Sequence, residues 1–304
     1  MFCNVRKSGV IQNKTAQYLY QVPLELEKEG LAKEVCKHFK LEKSEPQNKE
    51  WEEMIENIKK AKKEIKVGIV GKYIKLEDAY ISVIESLVHA GYNNQVKVKV
   101  ELIDSEKITK ENVKETLKDI KAVVVPGGFG NRGIEGMIET IRYVRENNIP
   151  FLGICLGMQM AVIEFAKNVL KLEDVNSEEF DKNCKNPVIH IMDSQIGIDK
   201  KGGTMRLGKY PCIIKKGTLA EKLYKKEKIS ERHRHRFEYN NKYREMMKEK
   251  GLIISGTSPD KALVEIVENP SNKFFIAGQF HPEFKSRPNR PTPLFDGLIK
   301  SILN

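Results

Sequence analysis

From Ile65 onward the chain alternates short runs of β-branched residues with stretches whose apolar positions recur every three or four residues. Ile65–Val70 has the pattern of a buried strand. Glu77–Ala90 places Ala79, Ile81, Ile84, Leu87 and Val88 at the spacing of a helix packed on a sheet. Val96–Ile103 alternates as a strand does, Glu111–Lys118 predicts a helix, and Ala122–Val125 predicts a strand that stops at Pro126. A helix over Ile134–Glu146, a strand over Phe151–Ile154 and a helix over Leu156–Ala166 follow. This alternation predicts an α/β fold, an open and mainly parallel sheet flanked by helices. Val188–Met192, Leu252–Ser255, Leu263–Val267 and Phe274–Gly278 predict additional strands, antiparallel or mixed.

The first 64 residues have another character. Tyr18–Phe39 predicts short helices with polar faces, and Trp51–Ile58 is amphipathic. The run Lys59–Lys63 reads as an exposed helix end or linker. No apolar set here suffices for an independent core, so the chain divides into 1–64, the tail of something else, and 65–304, the main domain. A length of 304 residues gives a prior of about two domains.

Composition narrows the class without deciding it. Hydrophobic residues make up 40% and charged residues 31%, as in an ordinary folded protein. The longest apolar stretch, Phe151–Ala166, contains Gln159 and Glu164 and is too short to span a membrane; the first ten residues show no secretory signal. A cytoplasmic protein without a membrane partner is expected. The net charge of +11 invites a nucleic-acid reading, but the 53 basic residues are 42 Lys and 11 Arg, dispersed along the chain. Groove-reading sites favour clustered Arg, and the one dense cluster, Arg232 to Arg236, is short, so no nucleic-acid partner is expected. Cysteines at 3, 36, 155, 184 and 212 form no C-x-x-C pair and no zinc spacing, which predicts free thiols and no metal.

Three segments carry candidate chemistry. Phe151 to Gln159 runs strand, Gly153-x-Cys155-x-Gly157, helix: the arrangement of a nucleophile elbow with cysteine as nucleophile. Small neighbours let substrate approach, and the N-terminus of the helix that starts at Leu156 favours a thiolate. A buried structural cysteine in a tight turn is the bland alternative. Far downstream, His281-Pro282-Glu283 supplies a base and an orienter. Pro282 disfavours helix at His281, so an extended tripeptide is expected, its first and third side chains on one side. Pro126-Gly127-Gly128-Phe129-Gly130 follows a strand and offers backbone N–H groups to an oxyanion. No G-x-x-x-x-G-K-[ST] occurs in these residues.

PGGFG, GICLGMQ and HPEF, in that order, resemble the class I (triad) glutamine amidotransferases. Gly202–Gly208 (GGTMRLG), Glu231–Phe237 (ERHRHRF), Asn176–Phe180 (NSEEF) and Gly68–Tyr73 (GIVGKY) narrow the resemblance to the CTP synthase family. Phe2–Val5 and Tyr20–Leu24 resemble the end of that family's synthetase domain. The resemblance implies a flavodoxin-like sheet and a glutaminase that supplies ammonia for the ATP-dependent amination of UTP. It implies Cys155, His281 and Glu283 as catalytic residues. Gly128, Leu156, Gly157, Met158, Gln159, Glu179 and Arg236 would bind L-glutamine, with Gly128 and Leu156 holding the oxyanion; Arg232 and Arg234 are adjacent alternatives to Arg236. Phe129 and Arg206 match positions associated with GTP activation. No cofactor is implied for this chain; the full-length family enzyme uses ATP and Mg, takes GTP as activator and forms tetramers. Because no P-loop is present, the chain reads as a C-terminal portion whose partner is the synthetase domain. A non-catalytic assembly or regulatory piece, or another class I amidotransferase, are the alternatives.

Overall fold

The computed structural model describes residues 5–42, 45–197 and 205–303. Most of Phe2–Val5 and residues 202–204 of the GGTMRLG segment lie outside the described residues. The strands are β1 (Lys63–Gly71), β2 (Val96–Asp104), β3 (Ala122–Val125), β4 (Phe151–Ile154), β5 (Val175–Ser177), β6 (Asn186–Ile191), β7 (Arg206–Ile214), β8 (Lys228–His235), β9 (Phe237–Tyr239), β10 (Ile253–Thr257), β11 (Val264–Glu268) and β12 (Phe275–Gly278). The helices are α1 (Val22–Lys28), α2 (Leu31–Phe39), α3 (Lys49–Lys60), α4 (Ile81–Asn93), α5 (Val113–Thr116), α6 (Ile134–Glu146), α7 (Leu156–Asn168), α8 (Leu219–Tyr224), α9 (Arg244–Glu249) and α10 (Pro293–Leu303).

A nine-stranded sheet runs β2-β1-β3-β4-β12-β11-β10-β7-β8. Its first five strands are parallel, and from β11 outward every pair is antiparallel. The inner parallel strands β3, β4 and β12 are covered on both faces, which is why they are buried and apolar throughout, whereas edge strand β2 alternates. Along β3, Val123 and Val125 pack into the core with α6 and α7, while Ala122 and Val124 pack into the core with α4 and α10. The order β2-β1-β3 reverses direction after β1, a switch point that leaves a crevice at the carboxyl ends of β1, β3 and β4. A three-stranded sheet, β5-β6-β9, packs against α7.

Helices α1 to α3 carry only a small cluster, Met54, Ile55 and Ile58 with Tyr18, Tyr20, Leu24, Trp51 and Tyr92 around them. It attaches to α4 through Tyr20, whose hydroxyl meets Glu85 at 2.9 Å and His89 at 3.1 Å.

Two expectations need correction. The downstream strands are more numerous than the pattern predicts, because β7 and β8 form a long hairpin whose inward positions on β8 include Glu231, His233 and His235. The segment after His281 is not extended: His281 itself is non-helical (φ −110°, ψ 86°), and Pro282–Lys285 is a 3₁₀ turn opened by the proline. Proline's fixed φ and missing N–H suit the first position of such a turn.

Candidate active site

Cys155 stands between β4 and α7 with φ +51° and ψ −100°. A non-glycine residue there is strained, and the surrounding structure must hold it. Its N–H donates to the carbonyl of Gly278 (2.7 Å), its carbonyl accepts from the Met158 and Gln159 N–H groups, and the residue is 3% exposed. Gly157 is required by close approach: a Cβ there would lie 2.0 Å from the Val125 carbonyl oxygen of β3.

Because β12 lies parallel beside β4, the chain leaving β12 arrives at the same crevice. His281 Nδ1 is 2.7 Å from Glu283 Oε1, and the His281 N–H is fixed by the Arg232 carbonyl at 2.8 Å. The 3₁₀ turn thus achieves the pairing expected of an extended segment. Nε2 is buried with no hydrogen-bonded acceptor of ordinary geometry. A Cβ placed on Gly127 would lie 2.8 Å from His281 Cε1 and 3.6 Å from Cys155 Cβ, so this glycine is wedged between His281 and Cys155. Burial works to lower the His281 pKa, but the neighbouring Cys155 sulfur and the Glu283 carboxylate outweigh it and hold His281 up at about 10. That environment favours an imidazolium at His281.

Leu156 opens α7, so its N–H has no acceptor within the helix, and among the described residues no backbone acceptor takes the Gly128 N–H. A cavity of about 340 Å³ beside Cys155 is lined by Gly128, Phe129, Gln159, Glu179, Arg236 and Cys155 among others. Glu179 accepts from the Gly130 N–H (2.9 Å). Burial raises its pKa, and the Gly130 N–H and Lys72 oppose that rise. Arg236 donates to Gln195 Oε1 at 2.7 Å. Of the three neighbouring arginines it is the one at this cavity. Arg234 lies instead over the Phe129 ring, 5.4 Å from its centroid, in a second cavity of about 330 Å³ that shares Gly128, Phe129 and Cys155 with the first and is also lined by His281.

The remaining candidates fall elsewhere. The Met158 side chain is fully buried in the core against α6. Gln159 lines the cavity while its amide donates to the Phe237 carbonyl at 3.0 Å. Arg206 is away from both cavities, bound to buried Glu265 at 2.7 Å and stacked over Tyr210 at 4.5 Å. Two polar residues escaped the sequence reading. Gln279, 1% exposed, directs its amide at Cys155 Sγ (3.7 Å). Lys72, 2% exposed, binds the carbonyls of Phe129 and Gly130. Lys72 sits inside the quoted GIVGKY and Gln279 two residues before HPEF, but neither type advertises burial.

Among the described residues no cluster of three or more His, Cys, Asp or Glu is placed to hold a metal ion, and no helix is long and apolar enough to cross a membrane.

Residues 75–301 match the family described as Glutamine amidotransferase class-I. The chain is 54% identical over 304 residues to a CTP synthase of Clostridium kluyveri, covering all of this chain and 57% of that protein. It is 52% identical over 309 residues to one of Methanocaldococcus jannaschii, again covering 57% of the relative. It therefore spans a little over half the length of the curated relatives it matches. Among solved structures, the glutaminase domain of Trypanosoma brucei CTPS, described with bound acivicin, is 39% identical with a TM-score of 0.74, covering 79% of this chain and 94% of that one. With the elbow, the histidine–glutamate pair and the sheet order all in place, the chain belongs to the class-I glutamine amidotransferase family, in the glutaminase part of the CTP synthases.

Proposed function

We propose that this chain hydrolyses the side-chain amide of L-glutamine, using Cys155 as nucleophile, His281 as acid and base, and Glu283 as orienter. The observation that carries the reading is Cys155 at positive φ beside a His281–Glu283 pair, at the wall of a cavity that also presents Glu179 and Arg236. A free amino acid needs a carboxylate for its ammonium and a guanidinium for its carboxylate, and these two residues are of the required types.

Attack of Sγ on the amide carbon forms a C–S bond and pushes the carbonyl electrons onto oxygen. The N–H groups of Gly128 and Leu156 receive that charge; one such donor elsewhere is worth roughly 2.7–4 kcal/mol. His281 passes its proton to the departing nitrogen, the C–N bond breaks, and ammonia leaves a γ-glutamyl thioester. Water then attacks as His281 takes its proton, releasing glutamate and restoring the thiolate.

The relatives' full length makes delivery of ammonia to a synthetase partner, for ATP-dependent amination of UTP to CTP, the fitting destination. GTP activation is the finer part of the same proposal. Exposed Phe129 with Arg234 above it is a surface on which a guanine could stack, whereas Arg206 is engaged by Glu265 and does not face it. The test is ammonia release from L-glutamine by the wild-type chain and by Cys155→Ala, each with and without GTP. Release by the wild type alone supports the enzyme. Equal release by both removes Cys155 from the mechanism, and silence from both favours an assembly role.

A further inference from the structure

Lys72 follows β1 directly, and at 2% exposure it is among the most deeply buried charged side chains in the molecule. Its ammonium donates to the Phe129 carbonyl at 3.2 Å and to the Gly130 carbonyl at 2.5 Å. The Phe129 carbonyl and the Gly130 N–H belong to one peptide group, and that N–H donates to Glu179 Oε1 at 2.9 Å. A single peptide dipole is therefore held at its oxygen by a cation and at its nitrogen by an anion. Gly130, at φ +76°, is the residue that lets the loop turn this peptide between them.

The clamp is itself held in place. The Lys72 and Tyr73 N–H groups both donate to Tyr80 Oη at 3.1 Å, Arg132 donates to the Lys72 carbonyl at 2.8 Å, and the Lys72 stem would lie 3.5 Å from a Cβ on Gly128. Nothing in the hydrolysis step uses a lysine, and burying an ammonium is costly unless it has a task. Burial lowers the Lys72 pKa to about 8; Glu179 is the charge that most opposes the fall, with Glu106 assisting and Arg132 pushing further down.

We infer that Lys72 is a positioning residue for substrate recognition: through the Phe129–Gly130 peptide it keeps Glu179 aimed into the cavity at the α-ammonium group of the amino acid. The inference deepens the proposed function and rests on its assignment of Glu179 to the substrate ammonium. An apolar residue at 72 would free the peptide to rotate, remove a cation that opposes the burial-driven rise of the Glu179 pKa, and leave a partly buried carboxylate that protonates more readily.

The experiment is a double-mutant cycle read by binding rather than turnover. Dissociation constants for L-glutamate, the reaction product, are measured by calorimetry on wild type, Lys72→Met, Glu179→Gln and the double variant. Alkylation of Cys155 by iodoacetamide is followed in all four as a check on the elbow. Each single change is expected to weaken binding on the order of tenfold to a hundredfold, the loss of one charged hydrogen bond. The double variant should bind no worse than the weaker single, with alkylation rates within about twofold of wild type. Wild-type affinity in Lys72→Met, losses that multiply in the double variant, or alkylation collapsing together with binding would each overturn the role. A wild type that shows the expected cycle yet releases no ammonia from glutamine removes the hydrolysis proposal and leaves Lys72 in place; one that does not bind glutamate removes both.

Discussion

Replacing Glu283 by Gln tests the triad at its most charge-dependent contact. The carboxylate is 8% exposed and 2.7 Å from His281 Nδ1, so the substitution keeps shape while deleting a buried negative charge. Unit charges about 4 Å apart at an effective dielectric of about 20 interact by about 4 kcal/mol. The glutamine carbonyl can still accept the Nδ1 proton, and that neutral hydrogen bond returns about 1 kcal/mol. A net loss of about 3 kcal/mol in support for the imidazolium corresponds to a fall in kcat of about two orders of magnitude. The sign follows from the His281 environment. Its pKa stands at about 10 with Cys155 and Glu283 overcoming burial; without the carboxylate it drops, and the thiolate loses part of its counter-charge. Ammonia release from L-glutamine measures kcat, and iodoacetamide alkylation of Cys155 at pH 6 measures the thiolate; both should fall while the melting temperature stays close to wild type. A kcat within about threefold of wild type would refute the role of Glu283, because no rearrangement of the amide restores the missing charge.

Gly157→Ala places a methyl group 2.0 Å from the Val125 carbonyl oxygen, a backbone atom of a central strand that cannot step aside. Overpacking of this kind costs about 1–3 kcal/mol, so the melting temperature should fall by several degrees, and an unchanged melt would show that the elbow has slack. Glu231→Gln addresses pH. Burial lifts Glu231 to about 7 against the opposing pull of Lys285 and Tyr224, so between about pH 4.5 and 7 the folded chain binds more protons than the unfolded one. Wild-type stability at this site therefore declines as pH rises through that window. Urea unfolding at pH 5 and pH 7.5 should show the variant gaining on wild type by up to about 3 kcal/mol; a difference independent of pH would contradict it.

How far the fold could be read in advance follows from what each strand buries. Ala122–Val125 and Phe151–Ile154 are apolar throughout because helices cover both faces, and their boundaries were legible. The β7–β8 hairpin was not: on β8 the inward residues after Ile229 are Glu231, His233 and His235, with Glu231 paired to Lys285 and His233 set beside His235, Arg206 and Glu265, so most of the period-two pattern is written in polar residues. In the site, the meeting of Cys155, His281 and Glu283 was legible because a tight strand-to-helix turn needs glycine neighbours and His281 and Glu283 lie two residues apart. The route by which His281 meets Glu283 was not, since Pro282 excludes helix before itself but equally well starts a 3₁₀ turn. Lys72 and Gln279 stayed hidden because lysine and glutamine ordinarily belong to solvent, and only the packing shows them aimed inward.

The central claim is that Cys155 becomes covalently attached to the γ-carbonyl of glutamine. Incubation with L-glutamine, an acid quench during turnover and mass spectrometry of proteolytic peptides tests it directly. A γ-glutamyl adduct on the peptide bearing Cys155, absent in Cys155→Ala and more abundant when water attack is slowed at lower pH, is the predicted result. Ammonia release with no adduct on that peptide, or an adduct on the peptides of Cys36, Cys184 or Cys212 instead, would contradict it.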